Sequence, residues 1–387
     1  MTSNGQTSET RLRAVATALA LAVVLLAALA AAPAANGQTY KVLYNFKGGS
    51  DGAYPYYGSL VQDKAGNLYG TTEAGANSGY GTVFKLTKSG TETALYSFTG
   101  GADGANPYAG LVLSGNTLYG TTVGGGVGYG VVFEVNIETQ IETVLYTFTG
   151  GADGRYPYAG LVRDNQGNLY GTTYYGGSSN YGVVFEVVPK TEKETVLHSF
   201  DDTDGADPGS GVTLNTTEKV LYGTAHKGGS SGSGVVFSLT IKTRTYTVLY
   251  NFTGGSDGED PWGTMALDQK GNLYGTTVYG GAQCCGTVFE VVPKTKKETV
   301  LYNFNAGYPM GGVIRDMKGD LYGTTTGAPY GMVFELVGSS EGALHGFDGS
   351  DGSDPLCGLV WDSKGNLYGT TSGGGSYGYG VVWEITP

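Results

Sequence analysis

From Tyr40 onward, apolar and polar residues alternate in short runs broken by Gly, Asp, Asn and Pro. In Tyr40-Lys41-Val42-Leu43-Tyr44-Asn45-Phe46, the residues Val42, Tyr44 and Phe46 alternate against Leu43 and Asn45. That period of two predicts a strand. Gly48-Gly49-Ser50-Asp51-Gly52 follows, a turn of residues that tolerate positive φ. Ser59-Leu60-Val61 opens a second strand, Asp63 to Asn67 makes a hairpin turn, and Leu68-Tyr69-Gly70-Thr71-Thr72 is a third strand. A glycine-rich loop ends at Tyr80-Gly81, and Thr82 to Leu86 is the fourth.

The whole cycle then repeats. Leu-Tyr-Gly returns with its tyrosine at Tyr69, Tyr119, Tyr170, Tyr222, Tyr274, Tyr322 and Tyr368, at gaps of 50, 51, 52, 52, 48 and 46 residues. Four strands per period of about fifty predict one propeller blade per repeat. The chain begins on a Val-Leu-Tyr-x-Phe strand and stops on Val381-Val382-Trp383-Glu384-Ile385, where the next such strand would fall. The expected fold is therefore all-β, a seven-bladed propeller closed by the N-terminal strand pairing into the last blade, which removes exposed sheet edges. An open β-solenoid is the alternative, but its rungs are usually shorter and need end caps. The expected organisation is 1–34 as a secretory leader, 35–39 as a short N-terminal segment and 40–387 as the propeller.

Composition changes this picture in three places. With 69 Gly and 30 Tyr but only 14% charged residues, the 387-residue chain fits many short strands joined by tight turns. A formal net charge of −12 and scattered arginines disfavour nucleic acid. Arg11 and Arg13 precede an apolar run from Ala14 to Ala32, and Ala32-Pro33-Ala34 offers a cleavage site, so export is expected, to the cell surface, periplasm or medium. A retained membrane anchor is the alternative for that leader; no membrane contact beyond it is expected. Cys284, Cys285 and Cys357 do not make a disulfide framework. Cys284 and Cys285 are expected as loop thiols, with a vicinal disulfide as the alternative.

The repeat Leu-Tyr-x-Phe, Gly-Gly-x-Asp-Gly-x-x-Pro, Gly-Leu-Val, Gly-Asn-Leu-Tyr-Gly-Thr-Thr, Tyr-Gly-Val-Val-Phe-Glu covers Tyr40 to Pro387. It resembles the GloVer tandem repeat of exported bacterial "choice-of-anchor" proteins. The resemblance implies an exported or surface-attached repeat protein and brings no catalytic residues. Such proteins often carry a C-terminal anchoring segment. Pro387 follows no apolar tail, cysteine anchor or extra domain, so attachment through this end is not expected.

Two turn types should share one face of the propeller. That face gathers Asp51, Asp103, Asp153, Asp204, Asp257 and Asp351, with Tyr56, Tyr108, Tyr158 and Trp262; Tyr129, Tyr181 and Tyr379 come from the second loop type, as do Tyr80 and Tyr330. Flat amphipathic rings beside carboxylates suit carbohydrate, where rings stack on sugars and acids accept hydroxyl hydrogen bonds. Against this, Asp-Gly makes turns without any ligand, and a tyrosine repeated in every blade reads as scaffold. Departures from the repeat are therefore the better signal: Tyr174-Tyr175, His226-Lys227, Cys284-Cys285, Glu259-Asp260 with Trp262, and Arg155. His198 and His345 stand where other copies have tyrosine and read as packing variants. No catalytic residue and no metal ligand set is assigned. No cofactor is expected; calcium at the Asp-Gly loops is the alternative, though one carboxylate per loop is short of the six to eight oxygens it takes. The expected function is a non-catalytic extracellular binding or scaffold module for polysaccharide or a cell-surface protein, acting as a monomer. A carbohydrate hydrolase or lyase and a self-associating adhesion protein are the alternatives.

Overall fold

The computed structural model describes residues 38–215 and 219–386, so the expected leader lies outside the described residues. Thr39–Pro387 forms one compact unit. Among the described residues its strands pair antiparallel and build seven sheets, one per Leu-Tyr-Gly copy. In blade 1, Val61–Gln62 is innermost, then Leu68–Thr72, Thr82–Leu86 and, outermost, Glu92–Ser97. The other blades follow the same order. Blade 5 adds a short strand, Glu259–Pro261, beside Leu273–Tyr279. No helix of the described residues is long and apolar enough to cross a membrane.

The ring closes as the chain ends predict. Thr39–Asn45 pairs with Val381–Thr386, running from Thr39 opposite Thr386 to Asn45 opposite Val381, and so completes blade 7. The first strand begins at Thr39, one residue before the expected boundary.

Each repeated residue type has a packing reason. Leu-Tyr-Gly-Thr-Thr is buried throughout in blade 1, because both faces of a blade press on neighbouring blades. Gly70 lies opposite Phe84, and a Cβ there would stand 2.7 Å from the phenyl ring. The glycine is thus the seat of the next strand's aromatic, and the pair recurs to Gly369 against Trp383. The core is divided into clusters shared by successive blades. Tyr69, Val83 and Phe98 of blade 1 pack with Leu118, Val131 and Phe133 of blade 2. Between blades 7 and 1, Tyr368 and Val382 meet Leu60, Leu68 and Phe84.

Hydrogen bonds fasten the blades across these clusters. The Thr71 hydroxyl donates to the Ala109 carbonyl of the next blade at 2.8 Å, and Thr172 to that of Ser210 at 2.9 Å. Near the upper face, the backbone N–H of Tyr54, Tyr156 and Asp207 donates to the carbonyl of Tyr379, Tyr129 and Tyr181 respectively, each at 3.0 Å.

Candidate functional site

The Asp-Gly turns and the second loop type do share one face: Ala53 bridges Ala74, and Arg155 bridges Tyr175. On that face, however, the expected residues separate into three sets with different work.

The aspartates are committed to their turns. Asp51 accepts from the Tyr44 hydroxyl at 2.9 Å and from the backbone of Lys47 and Gly49. Asp103, Asp153 and Asp257 repeat this with Tyr96, Tyr146 and Tyr250 and with a threonine that donates through both N–H and hydroxyl. Asp351 and Asp204 take His345 and His198 instead, at 2.7 and 2.8 Å. With both oxygens in use, these carboxylates are turn braces.

Tyr129 and Tyr379 belong to the rim. Their rings cover Gly150 and Gly48, where a Cβ would stand 2.7 Å away, so each is held by the neighbouring turn. Tyr181 also lies on the rim and is 36% exposed.

Tyr56, Tyr108, Tyr158 and Trp262 form the third set and meet around the axis. In blades 3 to 7 the residue after the proline lines the central cavity, and in blades 1 and 2 it carries a ring of the adjoining arc. Around the ring, from blade 2 to blade 7, this position holds Tyr108, Tyr158, Gly209, Trp262, Met310 and Leu356. Blade 1 has one residue more between Pro55 and Leu60 than blade 2 has between Pro107 and Leu111, and so supplies both Tyr56 and Tyr57. The rings run as an arc with centroids 5.3 Å apart for Tyr56–Tyr108, 5.5 Å for Tyr108–Tyr158 and 5.2 Å for Tyr158–Tyr174. It continues to His226 at 5.2 Å and to Trp262, stacked on His226 at 4.3 Å. Gly209 is what lets it continue, since a Cβ there would stand 2.9 Å from the His226 ring and 3.2 Å from Trp262. Tyr57 reaches Trp262 at 5.6 Å, joining blade 1 to blade 5 across the axis.

Electrostatics set what the arc presents. His226 is 2% exposed, and its Nε2 lies 3.1 Å from the Tyr174 hydroxyl while its Nδ1 has no partner. Burial, aided by Lys227, pushes its pKa down to about 3, so the imidazole is neutral. Burial and the charge of Asp202 raise Asp207 to about 6, against the opposing pull of Lys227. Lys227 itself pairs with Asp260 at 2.5 Å. The Tyr108 hydroxyl donates to Glu73 at 2.8 Å; burial first and then that carboxylate raise the tyrosine well above its usual range.

Under the mouth lies a cavity of about 330 Å³ on the axis, lined by residues of six blades, mostly in the segments that lead into the inner strands. Among the described residues, no group of three His, Cys, Asp or Glu side chains is gathered to hold a metal ion. Cys284 and Cys285, expected as loop thiols, are instead joined in a vicinal disulfide, and Cys357 is the buried free thiol. The correction is local: adjacent cysteines in a glycine-rich loop, with Cys284 at φ 122°, bring both sulfurs to bonding distance.

Tyr57 and Glu73 were not foreseen. The one-residue insertion after Pro55 is the signal that marks Tyr57. Glu73 carries only the signal of being an acid where the other copies have Val123, Tyr174, His226, Val278, Thr326 and Ser372.

Two solved structures are similar in fold. An oligogalacturonate lyase of Vibrio parahaemolyticus is 13% identical with a TM-score of 0.55, covering 89% of this chain and 93% of its own. An oligogalacturonate lyase in complex with manganese is 14% identical with a TM-score of 0.55, covering 91% and 94%. At such identities the likeness is one of fold alone. No curated protein sequence matches this chain. The Gloeobacter/Verrucomicrobia repeat model matches residues 32–230 and 213–383, which together span nearly all of the propeller. The chain belongs to the Gloeobacter/Verrucomicrobia repeat family.

Proposed function

We propose that this protein is an exported, non-catalytic binding module that holds neutral carbohydrate on the aromatic mouth of the propeller. The observation that carries this reading is the arc Tyr56–Tyr108–Tyr158–Tyr174–His226–Trp262 around one concave opening. It is an asymmetric feature laid over a symmetric scaffold. Amphipathic rings with hydroxyl edges are suited to the apolar faces and hydroxyls of sugars, with the buried His226 supporting Trp262 from beneath. Glu73 and Asp207 near the mouth favour a neutral over an anionic sugar, unlike the oligogalacturonate for which the two neighbours are named.

The test is a glycan screen of residues 39–387, followed by titration of the wild type, Trp262→Ala and Tyr108→Ala. Binding of a neutral polysaccharide that each variant weakens at least about tenfold, the equivalent of 1.4 kcal/mol, is expected. A folded protein silent across the screen, or binding indifferent to both variants, overturns the reading.

One observation favours a second reading as a carbohydrate hydrolase or lyase. Asp207 has an unpartnered buried Oδ1 and a carboxyl raised to about 6, which is how an acid catalyst is tuned. Release of reducing ends from a bound polysaccharide, lost in Asp207→Asn, would establish that reading over the first.

A further inference from the structure

The axial cavity extends from Tyr57, Tyr158 and Trp262 at the mouth to Ile314 and Arg315. The segments leading into the inner strands surround it, and their glycines let neighbouring blades approach closely, since a Cβ on Gly211 would stand 3.0 Å from the Thr264 hydroxyl and 3.3 Å from the Gly160 carbonyl. A ligand lying across the mouth can touch the aromatic arc, but only one entering along the axis can fill the space below. Antiparallel sheets and interblade threonine hydrogen bonds, such as Thr71 to Ala109 and Thr172 to Ser210, fasten the walls around it. Tyr57, standing across the axis against Trp262, narrows the entrance further. Thr264 is exposed although it sits on an inner segment, so it faces this open space, and Ser59 lines the same wall.

From this geometry we infer that the propeller recognises the end of a glycan chain, taking its terminal residues into the axial cavity beside the contact of Tyr57 with Trp262. The inference rests on the carbohydrate reading above and deepens it. The volume, about 330 Å³, is at the small end of ligand pockets, which run from about 300 to about 1,000 Å³, and suits a chain terminus of about one or two sugar units. The hydroxyls of Ser59 and Thr264 offer hydrogen bonds, while Met265 and Leu359 supply apolar wall. Apart from Arg315, whose guanidinium lies over the Tyr274 ring, the lining is uncharged and mixed in polarity.

The experiment compares linear β-1,4-glucan, mannan and xylan with the short oligosaccharides obtained from each, at equal mass, by titration with residues 39–387. Chain-end recognition requires that binding follow the number of ends, so the oligosaccharides must compete far better than the parent polymer. Thr264→Trp, which fills the cavity from its wall, is expected to weaken oligosaccharide binding at least about tenfold without lowering the melting temperature. Equal binding by mass, or full affinity in a folded Thr264→Trp, overturns the chain-end inference while leaving carbohydrate binding in place. If Thr264→Trp does not fold, the polymer-to-oligosaccharide comparison decides alone. Absence of binding by every form of all three glycans, with binding of another neutral class at the mouth, also overturns it. Silence across the full screen removes both readings.

Discussion

His198 of blade 3 lies flat against Tyr246 of blade 4, with ring centroids 3.8 Å apart and planes 7° from parallel. The same pairing closes the ring, where His345 of blade 6 stacks on Tyr40 of blade 7 at 3.6 Å. At the other five junctions the histidine is a tyrosine (Tyr44, Tyr96, Tyr146, Tyr250 or Tyr302), and the residue facing it is a glutamate: Glu92, Glu142, Glu194, Glu298 or Glu341. Where the Asp-Gly turn is missing, Tyr302 donates to Glu341 directly, at 3.4 Å. The two positions therefore change together at every junction. A flat imidazole leaves room for a stacked phenol, whereas a tyrosine that donates to the turn aspartate leaves room for an acid.

This exchange predicts coupling. His198→Tyr and Tyr246→Glu should each destabilise the ring by about 1 to 3 kcal/mol, since each leaves a mismatched interface. The double variant restores the commoner pairing and should recover most of that loss. Urea unfolding of the two singles and the double gives the cycle. Additive losses would show that the two positions are independent.

The glutamates at these junctions also set a pH dependence. Burial first, and then Asp51, Asp103, Asp153 and Asp257, raise Glu92, Glu142, Glu194 and Glu298 from 4.5 to about 7. A carboxyl with a raised folded-state pKa binds its proton more tightly in the native chain. Its favourable contribution is complete below the unfolded value and is lost as pH rises through about 7. Asp63 and Asp362 act in the opposite direction. Burial raises them, but hydrogen bonds from their turns outweigh it and hold them below the usual range. Their contribution is lost only as pH falls through that depressed value. The melting temperature should thus fall between pH 5 and 8, and replacing the four glutamates with glutamine should flatten the slope. A melting temperature that rises over that interval contradicts the assignment.

Gly70→Ala tests the glycine-aromatic seat. Its Cβ would stand 2.7 Å from the Phe84 ring and 2.9 Å from Leu60 inside a filled cluster. Overpacking of this kind costs about 1 to 3 kcal/mol. Calorimetry of Gly70→Ala beside Gly70→Ala/Phe84→Leu checks it, with the smaller side chain expected to relieve the strain.

Deletion of residues 39–46 tests closure. It removes the outer strand of blade 7, together with the Phe46 anchor and the stack of Tyr40 on His345. The truncated protein should lose its cooperative transition or melt far below the intact propeller. Unchanged melting would mean that the ring does not depend on joining its ends.

Much of this architecture was legible because it is written locally and repeated. Period-two alternation, Asp-Gly turns and the Leu-Tyr-Gly period specify strands, blade number and the closing strand, since each depends on neighbours within about fifty residues. The same repetition left function open. Asp51 and its equivalents read either as ligands or as turn formers, and in the structure the carboxylates of Asp51, Asp103, Asp153 and Asp257 are used by the turn and by a tyrosine seven residues earlier in the chain. Only the closed ring decides which side chains reach the axis. Tyr57 and Trp262 lie more than two hundred residues apart in sequence, and their meeting depends on blades 1 and 5 standing on opposite sides of one narrow cavity. Likewise, the neutral His226 follows from burial beneath Trp262 beside a glycine, a relation no local pattern contains. Sequence determined the repeating scaffold through short-range periodicity; tertiary closure decided the site, because it alone brings departures from the repeat into contact.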